Sequence, residues 1–166
     1  MTAKDFFSNA VAIAGNTSNA LGSAVTSANV QTLPGLNTLG VSVSRIDFAA
    51  WGVNPPHVHP RATEVIFVLE GFLDVGFVTT GNRLYARTVS AGEVFVFPRG
   101  LVHYQRNNGR GAAAVLSAFD SQLPGTQSVA EALFGASPPV PIDVLARSFQ
   151  VDAGLVEDIK SKFPSK

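Results

Sequence analysis

Cysteine is absent from the chain, which excludes disulfides, thiolate metal ligands and a cysteine nucleophile. The compartment stays open, since a secreted protein can do without a disulfide. Charge is sparse as well: charged residues make up 14% of the sequence, and 12 basic side chains balance 12 acidic ones. Such neutrality gives no support for nucleic acid or an anionic membrane surface as a partner. No run of about eighteen apolar residues occurs, so no segment is expected to span a bilayer. The start, MTAKDFFSNAVAIAG, lacks a basic stretch followed by a long apolar one, and no secretory signal is read in it. Histidine is scarcer still, three in 166 residues, and all three fall in two short segments.

What is abundant is apolar. Hydrophobic residues reach 46%, enough for a packed core, and the length suits one domain over residues 1–166. Fifteen glycines and ten prolines punctuate the chain. Between them lie short runs rich in Val, Ile, Leu and Phe at 39–48, 64–69, 73–78, 83–89, 93–97 and 113–119, several alternating apolar with polar. This pattern predicts an all-β sandwich or barrel with its core in residues 39–125 and an N-terminal extension over 1–38. Thr79-Thr80-Gly81-Asn82 reads as a hairpin loop and Ala91-Gly92 as a turn. Beyond the stiff Pro138-Pro139-Val140-Pro141, residues 138–166 change character. Ile142, Leu145, Ala146 and Phe149 recur at helical spacing. A second helix is predicted from Asp152 as N-cap to Lys162, with Leu155, Val156, Ile159 and Phe163 on one side and Glu157 and Asp158 in its early turns. The apolar faces of these helices pack on their own barrel or on a neighbouring subunit. No internal repeat is visible.

His57 and His59 are two apart in Pro55-Pro56-His57-Val58-His59-Pro60. In an extended chain such residues share a face, so both imidazoles can reach one point. Glu64 follows a turn-like Pro60-Arg61-Ala62-Thr63, and His103 lies some forty residues on, within hairpin reach. Three imidazoles and one carboxylate suit a borderline divalent ion: manganese, iron, nickel, copper or zinc. A six-coordinate ion would keep two positions for water or substrate, a catalytic arrangement. Zinc could be saturated by the four ligands and then be structural.

At these residues the chain resembles the germin-like proteins of the cupin superfamily. The first cupin motif is matched by His57-Val58-His59, Glu64 and Gly71, although Trp51 stands at the leading glycine and Gly52 follows it. The second is matched by Gly92, Pro98, Gly100, His103 and Asn107. Germin-type phrasing extends through Gly15-Asn16-Thr17-Ser18, residues 34–40, Asn54-Pro55-Pro56-His57 and Leu133-Phe134-Gly135, so the likeness covers nearly the whole chain. The resemblance implies a cupin jelly-roll β-barrel with a short C-terminal helical extension, and manganese held by His57, His59, Glu64 and His103. It also implies a hexamer built as a trimer of dimers, secretion to the plant apoplast and cell wall, and oxalate oxidation or superoxide dismutation as activities. Two departures matter. The signal and cysteine pair usual in the family are missing, so the chain either begins downstream of them or lacks them. Ser44 stands where oxalate oxidases place an asparagine, while a second substrate-associated asparagine is matched by Asn54. A hydroxyl lacks a carboxamide's reach, and one lost orienting hydrogen bond costs about 1–3 kcal/mol.

Superoxide dismutation is therefore the leading expectation, with a metal-bound water supplying protons. Oxidation or decarboxylation of oxalate or a similar small acid is the alternative, and a non-catalytic wall-associated, storage or receptor-like role is the third. Gln105 and Asn107 follow His103 at even spacing and are expected to face the same interior if the strand continues, as candidate contacts to a metal water or substrate; for Asn107-Asn108-Gly109 a turn is the better reading. Asn54 and Ser44 complete the candidate substrate contacts. Asn16-Thr17-Ser18 fits an N-glycosylation acceptor.

Overall fold

The computed structural model describes residues 2–163; Met1 and residues 164–166, the outermost ends of the expected domain, lie outside the described residues. Two compact units are present, Met1–Thr126 and Gln127–Lys166. The first holds nine strands: β1 (Ser23–Ala28), β2 (Ser42–Phe48), β3 (Val53–Val58), β4 (Glu64–Glu70), β5 (Phe72–Val78), β6 (Leu84–Ser90), β7 (Val94–Phe97), β8 (Val102–Arg106) and β9 (Ala113–Phe119). One sheet runs β1-β2-β9-β4-β7, and the other, within this unit, β3-β8-β5-β6. Every pairing among them is antiparallel. This is the two-sheet all-β architecture that the apolar runs predict and the jelly roll that the family resemblance implies.

The inward rows explain both the barrel and its polar end. Along β4, Glu64, Ile66 and Val68 are buried while Val65, Phe67 and Leu69 are exposed in part, the alternation a half-buried strand requires. Along β9, Ala113, Val115, Ser117 and Phe119 point in the same way. Ile46, Phe48, Ile66, Val68, Leu73, Val75, Val89, Phe97, Ala113 and Val115 form the apolar core between the sheets. At one end of these rows the residues turn polar: Glu64 on β4, Ser117 on β9, His103 and Gln105 on β8, all buried.

β1 lies in the stretch expected to be extension, so the strands begin ahead of residue 39. It pairs with β2 from Ser23↔Phe48 to Ala28↔Val43. Its sequence, Ser-Ala-Val-Thr-Ser-Ala, carries too little apolar contrast to announce a strand. Asn82 takes the positive φ of the β5–β6 hairpin, at 58°, and Gly92 that of the following turn, at 87°.

The turn from β2 to β3 explains the departure at Trp51. The Gly52 amide donates to the Ala49 carbonyl at 3.0 Å, and Trp51, third in that turn, has φ 64°. That position asks for glycine, and the tryptophan occupying it is 64% exposed, so it recovers little by burial. Trp51→Gly is accordingly expected to stabilise the fold by about 1 kcal/mol, the strain of a left-handed L-residue less the entropy of an added glycine. An unchanged or lowered denaturation midpoint would show that the indole makes a compensating contact.

The second unit is helical after Ser128: α1 (Val129–Phe134), α2 (Ile142–Phe149) and α3 (Ala153–Lys160). α1 has no counterpart among the expected elements; six residues are too few to display a helical period, although Ser128 caps it by accepting from the Glu131 amide. α2 follows the proline-rich connector and buries Leu145, then ends where Gln150 turns left-handed. Asp152 sits at the N-cap of α3 without a side-chain capping bond, and no acidic residue lies in the first turn. The helix starts where the spacing predicts, with Glu157 and Asp158 in its second turn, and ends at Lys160, two residues short of the expected Lys162. Phe134 lies against Phe149 and Phe163, with ring centroids 5.7 and 6.2 Å apart.

Candidate metal centre

Local sequence aims each ligand. Pro55 and Pro56 have no amide hydrogen to give a ladder, and the β3–β8 register shifts between Asn54 and His57 at that point. Beyond the irregularity His57 pairs directly with His103 across the two strands. His59 follows on the same inward face, and the tight turn at residues 60–62 brings the chain back so that Glu64 opens β4. Gly71 then closes the β4–β5 corner at φ 73°, where an added Cβ would lie 2.8 Å from the Ala112 carbonyl. All four side chains are buried, and one ligand atom from each falls within 4.8 Å of the others.

The backbone fixes which nitrogen faces inward. His57 Nδ1–H donates to the Pro55 carbonyl at 2.7 Å, His59 Nδ1–H to Gly125 at 2.6 Å, and His103 Nδ1–H to Leu101 at 2.8 Å. A carbonyl can only accept, so each Nδ1 carries the hydrogen and each neutral ring presents an Nε2 lone pair. The His103 and His59 Nε2 atoms lie 3.0 and 3.1 Å from one oxygen, Glu64 Oε2. Lone pairs facing a carboxylate at that range repel unless protons or a cation stand between. Donors at right angles about 2.1 Å from a shared first-row ion lie about 3.0 Å apart, so the residues fit a divalent metal. Phe97 stacks on the His103 ring at 4.5 Å and Phe119 meets His59 edge-on at 4.9 Å, holding both imidazoles against rotation.

Two members of the cluster resist protonation. Burial, then repulsion from His103, holds His57 down to about 4 from an ordinary 6.5. Burial alone would push the Glu64 carboxyl up. A hydrogen bond to it from His103, then from His59, with a proton standing between, outweighs that and leaves it well below the usual carboxylate range. The consequence for metal-stripped protein has a definite sign. Between pH 6.5 and 4 the unfolded chain binds a proton at His57 that the folded chain refuses, so stability is full above that window and is lost as pH falls through it. The expected loss is on the order of 2 kcal/mol between about pH 6.5 and 4.5, with Glu64 adding its own loss only in stronger acid. Denaturation midpoints against pH for wild type and His57→Gln check this; parallel curves would refute it.

Beside the ligands opens a cavity of about 240 Å³, walled in part by Ser27, Ser44, Asn54 and Thr126, with no lysine or arginine among its lining residues. The structure brings Asn54, Ser44 and Gln105 to this region. Ser44 Oγ donates to Ser27 Oγ at 3.0 Å, and Asn54 Nδ2 donates to Gln105 Oε1 at 2.6 Å. Gln105 Nε2 in turn donates to Glu64 Oε1 at 3.2 Å. Asn107 goes elsewhere. β8 ends at Arg106, so strand parity does not carry Asn107 to the metal ligands; its amide donates to the Ala49 and Gly111 carbonyls and pins the following loop. Asn16 is exposed, its side chain accepting from the Ser18 amide at 2.9 Å.

Two contributors carry no signal in the sequence. Ser117 on β9 donates to Glu64 Oε1 at 2.7 Å. The segment 120–125 supplies the acceptor for His59 and is tied to the ligand-bearing turn: Arg61 Nε donates to the Leu123 carbonyl at 2.8 Å, and the Thr63 amide to Asp120 at 2.7 Å. The Thr63 amide, then the Arg99 guanidinium, hold the Asp120 carboxyl below its ordinary range. No residue pattern marks either feature, because each is made by residues more than fifty positions apart.

Comparison with known proteins agrees with this architecture. The cupin family profile matches residues 10–157. Germin-like protein 1-3 of Oryza sativa subsp. japonica is 68% identical over 163 residues, 98% of this chain and 73% of that protein. The rhicadhesin receptor of Pisum sativum is 60% identical over 166 residues, 100% of this chain and 76% of that protein. A solved structure of recombinant oxalate oxidase in complex with glycolate superposes with a TM-score of 0.94 at 52% identity, covering 96% of this chain and 81% of that one. Likeness of this extent and depth makes the chain a member of the cupin family and, within it, a germin-like protein.

Proposed function

We propose that this germin-like chain is a manganese-dependent superoxide dismutase, secreted to the plant extracellular matrix and working as a homo-oligomer. The observation that carries the reading is the state of the cavity wall. The hydroxyl of Ser44 is spent on Ser27, and one amide hydrogen of Asn54 is spent on Gln105. A dicarboxylate needs donors at both ends to be oriented. A diatomic monoanion needs only access to the ion. A manganese ion held by His57, His59, Glu64 and His103 supplies one-electron chemistry, so that two superoxide ions and two protons become dioxygen and hydrogen peroxide.

The chain's residues set the conditions for that chemistry. Glu64 places one negative charge beside three neutral rings, which favours the higher oxidation state without making the lower one inaccessible. The Nδ1–H bonds to Pro55, Gly125 and Leu101 keep every Nε2 free to ligate. The cavity lined by Asn54, Ser44 and Phe119 beside His57, His59 and Glu64 is the approach for solvent, which delivers the protons. Oxalate oxidation is the second reading, favoured by the 52% identity to the glycolate-bound oxalate oxidase and by Asn54 in the cavity wall.

Metal analysis of the purified protein, with parallel assays of superoxide loss and oxalate-dependent peroxide, separates the readings. Manganese with superoxide consumed and oxalate ignored supports dismutation. Peroxide formed from oxalate supports the second reading. Zinc with neither activity supports a non-catalytic, receptor-like role. Exposed Phe67, Val94 and Val96 on the outward face of β4 and β7 support self-association, which light scattering would measure against the hexamer the resemblance implies. Mass spectrometry of the plant-derived protein would test a glycan on Asn16.

A further inference from the structure

The two oxygens of Glu64 are not equivalent. Oε2 faces the His103 and His59 Nε2 atoms at 3.0 and 3.1 Å. Oε1 is turned away and accepts from Ser117 Oγ at 2.7 Å and from Gln105 Nε2 at 3.2 Å. The shorter bond comes from a side chain that is wholly buried, in an inward row otherwise made of Ala113, Val115 and Phe119. A hydroxyl in such a row is costly to bury unless it is paired. Ser117 lies opposite Ile66 on β4, two residues along from Glu64, and opposite Ser44 on β2. A rigid strand on the neighbouring side of the ligand thus aims its one polar side chain at one oxygen.

We propose that Ser117 is a positioning residue that reserves Glu64 for one-oxygen ligation: by occupying Oε1 it presents Oε2 alone to the ion and withholds the second oxygen. A carboxylate clamped in this way cannot swing to grip the ion with both oxygens. It therefore keeps a coordination position open toward the cavity and fixes how much negative charge Glu64 delivers. Gln105 supports the same oxygen more weakly and links it to Asn54 in the cavity wall. This inference rests on reading the four residues as a metal centre.

The test compares wild type, Ser117→Ala and Ser117→Thr, each stripped and reloaded with Mn(II). Ser117→Ala is expected to weaken Mn(II) about tenfold or more in chelator competition and to change the low-temperature electron paramagnetic resonance spectrum. Ser117→Thr, which keeps the hydroxyl, is expected to restore both toward wild type. Should neither variant fold, the infrared difference between loaded and stripped wild type still decides, because one-oxygen ligation separates the two carboxylate stretches widely and two-oxygen ligation brings them together. A narrow separation overturns the proposal, as do Ser117→Ala spectra and affinity matching wild type with only the denaturation midpoint lowered. Failure of the underlying reading looks different: wild type itself takes up no Mn(II).

Discussion

Replacing His103 with alanine is expected to strip the protein of its metal and lower its activity by about a hundredfold or more, beyond what loss of a residue that merely supports a ligand produces. His103 is the ligand with the most dependants. Its Nε2 shares Glu64 Oε2 with His59, its ring lies 4.2 Å from that of His57, and Phe97 stacks on its other side. Removing the imidazole takes away a donor and leaves Phe97 and His57 without the surface that holds them. The space it vacates lies on β8, directly across from His57 and next to Phe77 on β5, so the neighbours that would have to close it belong to rigid ladders. Metal content by elemental analysis and superoxide consumption should fall together. Full metal content in His103→Ala would show that the ligand set is wrong. Lost activity with metal retained would show that His103 serves the chemistry and not the ion.

The four candidate ligands were legible because their chemistry is rare in this chain. With three histidines in all, a His-x-His pair, a glutamate at the head of an apolar run and a third imidazole in a distant strand leave little room for any role but sharing a cation. The barrel was legible where one strand face meets the core and the other meets water, as along β4. It failed where that contrast is missing: β1 is built of small and polar residues, and its place in the sheet comes from pairing with β2. Parity reaches only as far as Gln105: β8 ends at Arg106, and Asn107 joins the following loop, in keeping with the turn reading preferred there. Ser117 stayed hidden for a simpler reason. A serine two places from a phenylalanine draws no notice until β9 is seen to lie beside β4, and that adjacency is a fact of topology. The ligands are thus a property of residue type, whereas what orients them is a property of which strands become neighbours.

Gly125 shows how far that second property reaches, and Gly125→Ala is expected to cost about 3 kcal/mol of stability and to weaken metal binding about tenfold. The residue has φ +70°, a left-handed conformation that strains any L side chain. A Cβ there would also sit 2.7 Å from Arg61 Nη2. Arg61 is not free to withdraw at no cost, since its Nε donates to the Leu123 carbonyl and so holds the very segment that carries Gly125. The Gly125 carbonyl accepts from His59 Nδ1–H at 2.6 Å, so any shift of the segment releases the ring that this bond keeps in its ligating tautomer. The two costs can be separated. Arg61→Ala with Gly125→Ala removes the collision and leaves the backbone strain, so the pair should regain part of the stability lost by Gly125→Ala while metal affinity stays low. Calorimetry of the stripped proteins measures the first quantity and chelator competition the second. If Gly125→Ala lost stability yet bound metal like wild type, the His59 ring would owe its orientation to Phe119 and the Thr126 hydroxyl, and the 120–125 segment would be no part of the centre.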